Sequence, residues 1–412
     1  MQKKLLYLFI FFAPFTSFFA ISAWLRIPVV INQLLFLFIF INILFHRKII
    51  TKWLYNEDLI LLVFLLLVWL SFLLGFKEKR SFNHSLAYTN SILFYFFLTK
   101  YAIALLKISV TNISKMAYLS FIAISIIIIA DFIGKNYFNL NIRNIFSTAD
   151  GVTSNMDYFI RQGFYRVGGV AEEPGHMAIF YNIYFSISLI YLHNKNLIHK
   201  YKWIVLLFII CQFALYSNAG MALALLAAIV IFSLKKLKNV IISKRQLFWI
   251  SGVFILIILL FTTLFYFKSN HATFLLDAQN FINKIFFQEK GANTSSGARL
   301  HQWLRALSNF AKHPIFGNGP GYGVQQEHEG YLSLYLTILS DVGIFAFLLF
   351  MLFLLSLIKK VIKIKSVLSY FLLFGIITSF LHLFIIADFY SAPLWILFIF
   401  IQLVYKEEIL KK

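Results

Sequence analysis

The sequence predicts an all-α membrane protein that crosses a bilayer about twelve times, and three observations carry this prediction. The chain is 61% hydrophobic and only 13% charged, whereas soluble domains carry roughly 25% charged residues. Many apolar stretches reach about 18 residues, which is enough for a helix to span the hydrocarbon core. Lysine and arginine also divide unequally between alternate connections, as the positive-inside rule requires.

The apolar stretches follow one another along residues 1–412, which we interpret as a single membrane domain. The first stretch begins after Lys3 and Lys4 and imitates a signal peptide, but its apolar run is too long for one. We therefore interpret it as the first span. The predicted spans are 4–24, 27–45, 59–76, 86–106, 117–133, 174–192, 203–217, 219–234, 247–267, 338–358, 366–387 and 392–405.

An inside N-terminus places 21 of the 28 lysines in inside connections and both termini in the cytoplasm. The net charge of +21 then reflects topology, and no nucleic-acid partner is expected because no soluble domain presents a basic face. The positive-inside rule does not explain the arginines, because most of them fall in connections predicted to lie outside. Arg26 and Arg80 lie in short connections and are assigned no role. The outside arginines are Arg26, Arg80, Arg143, Arg161, Arg166, Arg299 and Arg305, seven of the nine in the chain.

Two connections are much longer than the others, residues 134–173 and 268–330, and both are predicted to lie outside. Functional groups concentrate in loops held by a rigid scaffold. Within the second, apolar residues recur at helical spacing over 274–287 and again over 297–311, which predicts two amphipathic helices. The glycine run at Gly317, Gly319, Gly321 and Gly323 follows. Such a run can turn backbone N–H groups toward an anion.

The first long loop ends in Arg161, Arg166 and Glu172-Glu173-Pro174, and this pattern has two interpretations. Proline and carboxylates are favoured in a first helical turn, so the segment could simply cap a helix. Alternatively, a carboxylate lies at membrane depth beside the arginines and faces an internal cavity, where charged residues usually have a function.

The second loop offers two further candidate groups. Arg299 and Arg305 either form a solvated helix face that contacts lipid head groups or clamp a diphosphate, because guanidinium groups grip phosphate oxygens in pairs. Glu327-His328-Glu329 suggests a general base tuned near neutral pH, a metal site, or a polar entry to a helix. No metal site is expected, since one histidine and two glutamates are a thin ligand set and the single cysteine adds none.

These motifs resemble those of the O-antigen polymerase and O-antigen ligase group of bacterial membrane glycosyltransferases. The resemblance covers the topology and about 60 residues of motif. The matching residues are Arg299-x3-Trp303-x-Arg305-Ala306, His313-Pro314-Ile315-Phe316-Gly317-x-Gly319, His328, Tyr331-Leu332, Asp341-x-Gly343-Ile344 and Arg166-x-x-Gly169-x3-Glu173-Pro174.

The resemblance implies a GT-C-like fold and an inverting glycosyl transfer at the periplasmic face of the inner membrane. The donor would be an oligosaccharide on undecaprenyl diphosphate, and a chain-length regulator is a candidate further partner. Neither a metal nor another cofactor is implied, because arginines can stabilise the departing diphosphate. The resemblance implies that Arg166, Arg299 and Arg305 are candidates for binding the diphosphate, and Arg161 is a fourth candidate. His328 is the candidate base, and Glu173 is an alternative base or an orienting group.

Two details favour a polymerase, whose acceptor is a second lipid-linked repeat unit, over a ligase, whose acceptor is lipid A-core. The Glu173-Pro174 motif resembles the polymerases. The ligases also often carry an arginine after a mid-chain serine, where this chain has Ser217-Asn218. The remaining alternative is a transporter or flippase of lipid-linked sugars. Transporters usually place charges near the bilayer midplane and often show related halves, neither of which is visible here.

Overall fold

The computed structural model describes residues 1–22, 25–46, 53–140, 142, 160–161, 164–237, 295–327 and 330–410. Over these residues the chain is a helical bundle with one two-residue hairpin, β1 Ile160–Arg161 paired antiparallel with β2 Phe164–Tyr165. The predicted all-α class is confirmed. The helices are α1 Gln2–Phe12, α2 Ile27–His46, α3 Asn56–Leu74, α4 Lys79–Thr89, the π-helical segment Asn90–Leu98, α5 Thr99–Leu105, α6 Val110–Tyr137, α7 Pro174–Asn194, the short 3-10 turn Ile198–Lys200, α8 Tyr201–Leu215, α9 Asn218–Leu237, α10 Ser295–Lys312, α11 Tyr322–Glu327, α12 Leu334–Val342, α13 Ile344–Lys363, α14 Leu368–His382 and α15 Ala392–Leu410.

Five of the described helices, α2, α3, α6, α7 and α13, are long and apolar enough to cross a membrane. Three shorter ones, α8, α9 and α14, are also apolar. The chain is therefore a multi-pass membrane protein. The predicted span 247–267 and the predicted helix 274–287 lie outside the described residues, whereas the predicted helix 297–311 is present as α10.

The first predicted span is wrong in its length, because α1 ends at Phe12 instead of continuing to residue 24. Pro14 has no N–H group and cannot donate to the carbonyl of Ile10, four residues earlier. That carbonyl instead accepts the hydroxyl of Tyr184 from α7, and the next carbonyl, of Phe11, accepts the hydroxyl of Ser120. The helix end is thus satisfied inside the protein, as an apolar membrane requires.

Two other predicted spans are interrupted near one end. The predicted span 338–358 is divided at Gly343, whose φ is 93°, so that α12 precedes the membrane-spanning helix α13. The predicted span 366–387 ends earlier, at His382, and residues 383–391 connect α14 to α15 without forming a helix. Both interruptions lie at the end of the bundle where residues 164–173 and 295–327 are found, which we call the loop end.

The central helix of the bundle is α7, in which nearly every residue is buried. It packs against α6, α8, α9, α14 and α15. Its polar side chains find partners on neighbouring helices: Asn182 Oδ1 accepts from Gln212 Nε2 at 2.6 Å, and Ser186 Oγ donates to the Phe371 carbonyl at 2.7 Å. These bonds fix how α7 is rotated, and therefore where its first turn lies.

Buried charges tie four helices together at the opposite end of the bundle. Lys100 and Asp58 are buried and form an ion pair, and Gln402 Nε2 donates to Asp58 Oδ1 at 2.9 Å. Lys360 Nζ lies 2.6 Å from Glu57 Oε1 beside this pair. The cluster joins α3, α5, α13 and α15. Removing one partner would leave an uncompensated buried charge, which is more costly than losing an exposed ion pair.

We predict that Lys100→Met destabilises the protein by about 3–5 kcal/mol, because Asp58 would remain buried without its counter-ion. The measurement is the thermal unfolding midpoint of the purified protein in detergent. Lys115→Met is the matched control, because Lys115 is exposed and surface substitutions usually change stability by less than about 0.5 kcal/mol. Equal midpoints for the two variants would contradict this account of the cluster.

Candidate functional site

Residues 164–173 are held firmly against the loop end of the bundle. The N–H of Tyr165 donates to Asn136 Oδ1 at 2.8 Å, and Asn136 Nδ2 donates back to the Tyr165 carbonyl at 3.1 Å. The Val170 carbonyl accepts both the N–H and the hydroxyl of Ser17, each at 3.0 Å. Gly169 has a φ of 52°, and a Cβ there would lie 2.8 Å from Ile128. This segment therefore delivers residues 172 and 173 to the start of α7 in a fixed position.

The two adjacent glutamates have different surroundings. Glu172 forms an ion pair with Arg26, an arginine that the sequence gave no reason to select. Glu173 is the N-cap residue of α7, and its side chain is 53% exposed. Its Oε2 atom lies 3.8 Å from His176 Nδ1, one turn along the helix. Of the pair, Glu173 is thus the more accessible to a substrate at the loop end.

The amphipathic helix α10 turns its polar side toward the protein. Gln302, Ala306 and Asn309 are buried, whereas Leu300 and Leu304 are 55% and 59% exposed. A soluble protein would show the reverse arrangement. In a membrane protein the exposed leucines suit lipid, and the helix is of the kind that lies in the interface.

Arg299 and Arg305 are both partly buried on α10. With 3.6 residues per turn they project about 120° apart, one on each side of the buried polar face. The guanidinium of Arg305 lies over the ring of Tyr331, with its Cζ atom 5.2 Å from the ring centroid. Tyr331 is itself fixed, because its hydroxyl oxygen accepts from Asn309 Nδ2 at 3.0 Å and from Ser340 Oγ at 3.1 Å. These contacts define the direction in which Arg305 points.

The glycine run after α10 packs backbone against backbone on α12. The N–H of Asn318 donates to the Ser340 carbonyl at 3.0 Å, and the N–H of Gly319 donates to the Asp341 carbonyl at 2.9 Å. The N–H of Gly321 donates to Asp341 Oδ2 at 2.8 Å. The sequence had suggested an external anion as the acceptor of these amides. In the structure the acceptors belong to the protein, and the anionic group among them is the carboxylate of Asp341.

His382 connects the two segments that the sequence singled out. It ends α14 and is 1% exposed. His176, at the start of α7, and Arg299, on α10, both lie within electrostatic range of its ring. The end of the first long loop and the helix of the second therefore lie in the same region of the loop end.

Several buried polar atoms at the loop end are without a hydrogen-bond partner among the described residues. They include His382 Nδ1, Trp303 Nε1 and Asp388 Oδ2. Burying a donor or acceptor without a partner costs about 1–3 kcal/mol, so such atoms usually bind water or a ligand.

The structure describes the predicted site residues to different extents. Four of them are among the described residues: Arg166, which is partly buried just after β2, Glu173, Arg299 and Arg305. Arg161 lies in β1, but its side chain is outside the described residues, as is the whole of His328. Among the residues that are described, no group of three His, Cys, Asp or Glu side chains could hold a metal ion.

Sequence reasoning did not select four residues of this region, namely Arg26, His84, His382 and Asp388. One signal was available, because His382 lies within an apolar predicted span and ionisable residues in such spans are functional candidates. Arg26 gave no comparable signal, since its partner Glu172 is distant in the sequence.

A comparison with protein families supports the resemblance. A family model described as O-antigen ligase matches residues 203–351, a range that contains α10, the glycine run and α12. The match supports the superfamily of O-antigen ligases and polymerases and a glycosyltransferase-like activity, without distinguishing the two members. No curated protein matches the chain.

We predict that Gly343→Ala destabilises the loop end. Gly343 has a φ of 93°, and a Cβ there would lie 2.2 Å from the carbonyl oxygen of Ile315. With a ψ of 177°, this backbone conformation is essentially restricted to glycine and costs another residue about 1–3 kcal/mol. Gly330→Ala is the matched control, because its Cβ would meet only Val324, at 3.7 Å. The measurement is the thermal midpoint of each variant, and a midpoint for Gly343→Ala equal to that of the control would contradict the packing described here.

Proposed function

We propose that the protein is a polymerase that transfers a growing glycan from undecaprenyl diphosphate to a sugar hydroxyl of a second lipid-linked repeat unit. The reaction would take place at the periplasmic face of the bacterial inner membrane, with both termini in the cytoplasm. The single observation that carries this proposal is that His176, at the start of α7, and Arg299, on α10, lie within electrostatic range of the buried His382. It supports a site shared by the arginines of α10 and the carboxylates at the start of α7.

The arginines suit a diphosphate leaving group. Arg299 and Arg305 flank the inward face of α10, and Arg166 and Arg161 belong to the other long segment. Guanidinium groups form paired, charge-assisted bonds to phosphate oxygens. As the bond between the anomeric carbon and the phosphate oxygen breaks, the electron pair remains on the diphosphate, and fixed positive charge there lowers the barrier. This stabilisation requires no metal ion.

An inverting transfer also needs a group that accepts the proton of the attacking hydroxyl. The sequence offered His328 and Glu173 for this role. Glu173 is half exposed at the start of α7 and has His176 as a neighbour, a position from which it could also orient a substrate. The position of the exposed leucines of α10 suits a substrate whose lipid tail remains in the bilayer.

A ligase is the second candidate, because the matching family model is described as O-antigen ligase. The polymerase is preferred on the Glu173-Pro174 motif and on the absence of an arginine after Ser217. A transporter is less well supported, since the charges discussed here lie at one end of the bundle, whereas transporters bind their substrates near the bilayer midplane.

Inactivating the gene in its own cell separates these functions. For a polymerase we expect single repeat units on lipid A-core, because the units are no longer joined. Polymer that accumulates on the carrier lipid would indicate a ligase, and unpolymerised units facing the cytoplasm would indicate a flippase. The measurement is the length and the attachment of glycans in surface and lipid-linked fractions. Attached long chains that persist unchanged would contradict the polymerase.

We predict that Arg299→Lys and Arg305→Lys each reduce polymer formation roughly ten- to hundredfold, because lysine keeps the charge but loses the forked donors. A hydrogen bond to a charged group is worth about 1.5–3 kcal/mol, which corresponds to that range. Complementation of the inactivated cell, read from glycan length and amount, measures the effect.

The matched control for these two variants is Ser308→Ala, on an exposed position of the same helix. It should support polymer formation at the level of the unmodified protein. Full activity of both lysine variants would contradict the diphosphate-binding role of the arginines.

A further inference from the structure

A small pocket at the loop end has no part in the argument so far. It lies between α4, α11, α12 and residues 383–391, and its volume is about 70 Å³. A buried water needs roughly 10–15 Å³ by this measure, so the pocket has room for about five water-sized groups. The polar side chains that line it are His84, Tyr88, Thr337, Tyr331, Asp341 and Tyr390.

Among the described residues that line this pocket, Asp341 is the one with a carboxylate. It is only 2% exposed. Its Oδ2 atom accepts the N–H of Gly321 at 2.8 Å, but its Oδ1 atom has no hydrogen-bond partner among the described residues. An unpaired buried carboxyl oxygen is costly, and Asp341 lines a space large enough for a ligand atom. A hydrogen-bond donor in the pocket would remove that cost.

The other groups in the pocket limit what it can bind. Burial, with a smaller effect of Arg80, lowers the pKa of His84 to about 4, so its imidazole is neutral near pH 7. His84 Nδ1 is 2.8 Å from the hydroxyl of Tyr390. The described residues that line the pocket include neither lysine nor arginine, so they offer no cationic group to a phosphate. A single carboxylate among tyrosines is also a poor metal site.

The pocket is connected to α10, the helix that carries Arg299 and Arg305, through two structural elements. Tyr331 lines the pocket and also carries the guanidinium of Arg305 over its ring. Residues 383–391 begin next to His382, where the charge of Arg299 acts, and continue to Tyr390 in the pocket wall. The pocket therefore lies beside the proposed diphosphate site and is separate from it.

We propose that this pocket receives the acceptor hydroxyl group and that Asp341 Oδ1 takes its proton during glycosyl transfer. This inference rests on the proposed function and assigns to Asp341 the role that the sequence suggested for His328 or Glu173. In the step, the hydroxyl oxygen forms a bond to the anomeric carbon and the bond from that carbon to the phosphate oxygen breaks. The electron pair leaves with the diphosphate, and the proton passes to the carboxylate of Asp341.

The pH dependence of this step follows from the surroundings of Asp341. The carboxyl lies in α12, before the membrane-spanning helix α13, and burial raises its pKa to about 8, against a smaller opposing effect of the Gly321 and Gly323 amides. The titratable groups that face it are His84, Tyr88, Tyr331 and Tyr390. A base must be ionised to accept a proton, so transfer should increase as the pH rises through about 8. A general base near its working pH is also efficient.

Chemical labelling tests the pocket without depending on the function. N,N′-dicyclohexylcarbodiimide reacts with protonated carboxyl groups in apolar surroundings. We expect it to label Asp341 in the purified full-length protein, with labelling falling as the pH rises through about 8. Asp58 and Asp131 are internal controls, because they are buried but contact Lys100 and Lys135. Gly330→Leu should reduce labelling at least tenfold, since Gly330 lines the pocket and has space beside it.

Glycan formation in complemented cells then tests the role in transfer. Asp341→Asn keeps an oxygen for the Gly321 amide and should reduce polymer formation roughly hundredfold or more, the usual contribution of a general base. Gly330→Leu should also abolish it, whereas Ser308→Ala, at an exposed position of α10 outside the pocket, should leave it unchanged. If Asp341 is not labelled, or is labelled equally at pH 6 and pH 9.5, the pocket proposal is overturned. Labelling with full activity of Asp341→Asn overturns the proton transfer alone. Unchanged glycans after gene inactivation would overturn the proposed function. The labelling result would then test separately whether the pocket gives access to a protonated Asp341.

Discussion

Close backbone contact between residues 317–321 and 340–343 holds the second long segment on the bundle, and the arrangement of the loop end depends on it. A Cβ on Gly317 would lie 2.4 Å from the backbone of Asp341, and one on Gly75 would lie 2.6 Å from the Asn318 carbonyl oxygen. The amide of Phe76, just after α3, donates to that same carbonyl. Three parts of the chain thus meet at distances that only glycine permits, and α10 leaves this junction in a defined direction.

The direction of α10 gives the loop end its chemical character. The leucines of the helix face outward, and the arginines lie beside its inward polar face. The first long segment is fixed independently, by Asn136 and Ser17, and it brings Glu173 and His176 to the same end. In the proposed function, a site assembled in this way would combine fixed positive charge for a departing anion with carboxylates for proton transfer. Because both segments are anchored to helices, these groups do not need to be ordered by the substrate, which favours a preorganised site.

The general architecture could be predicted from the sequence because hydrophobic length and charge bias are local signals. The helix α10 was predicted from its apolar spacing, but the direction of its polar face was not, since spacing alone does not say whether lipid or protein covers the leucines. The glycine run was recognised, although its amides bind Asp341 and backbone carbonyls of α12 instead of an external anion. The ion pair of Arg26 with Glu172 depends on a contact between distant parts of the chain, for which a single sequence gives no signal. His382 did carry a signal, as an ionisable residue in an apolar predicted span, but the sequence does not say which groups surround it.

The central claim is that α10 and the start of α7 lie close together around His382, and photo-crosslinking tests it most directly. p-Benzoylphenylalanine at position 299 of the full-length protein, activated in native membranes, should cross-link to peptides containing His176 or His382. The same group at position 300, where Leu300 is exposed, should not. Mass spectrometry of the cross-linked peptides distinguishes these cases. Cross-links from position 299 confined to residues 295–330, or identical patterns from both positions, would contradict the account.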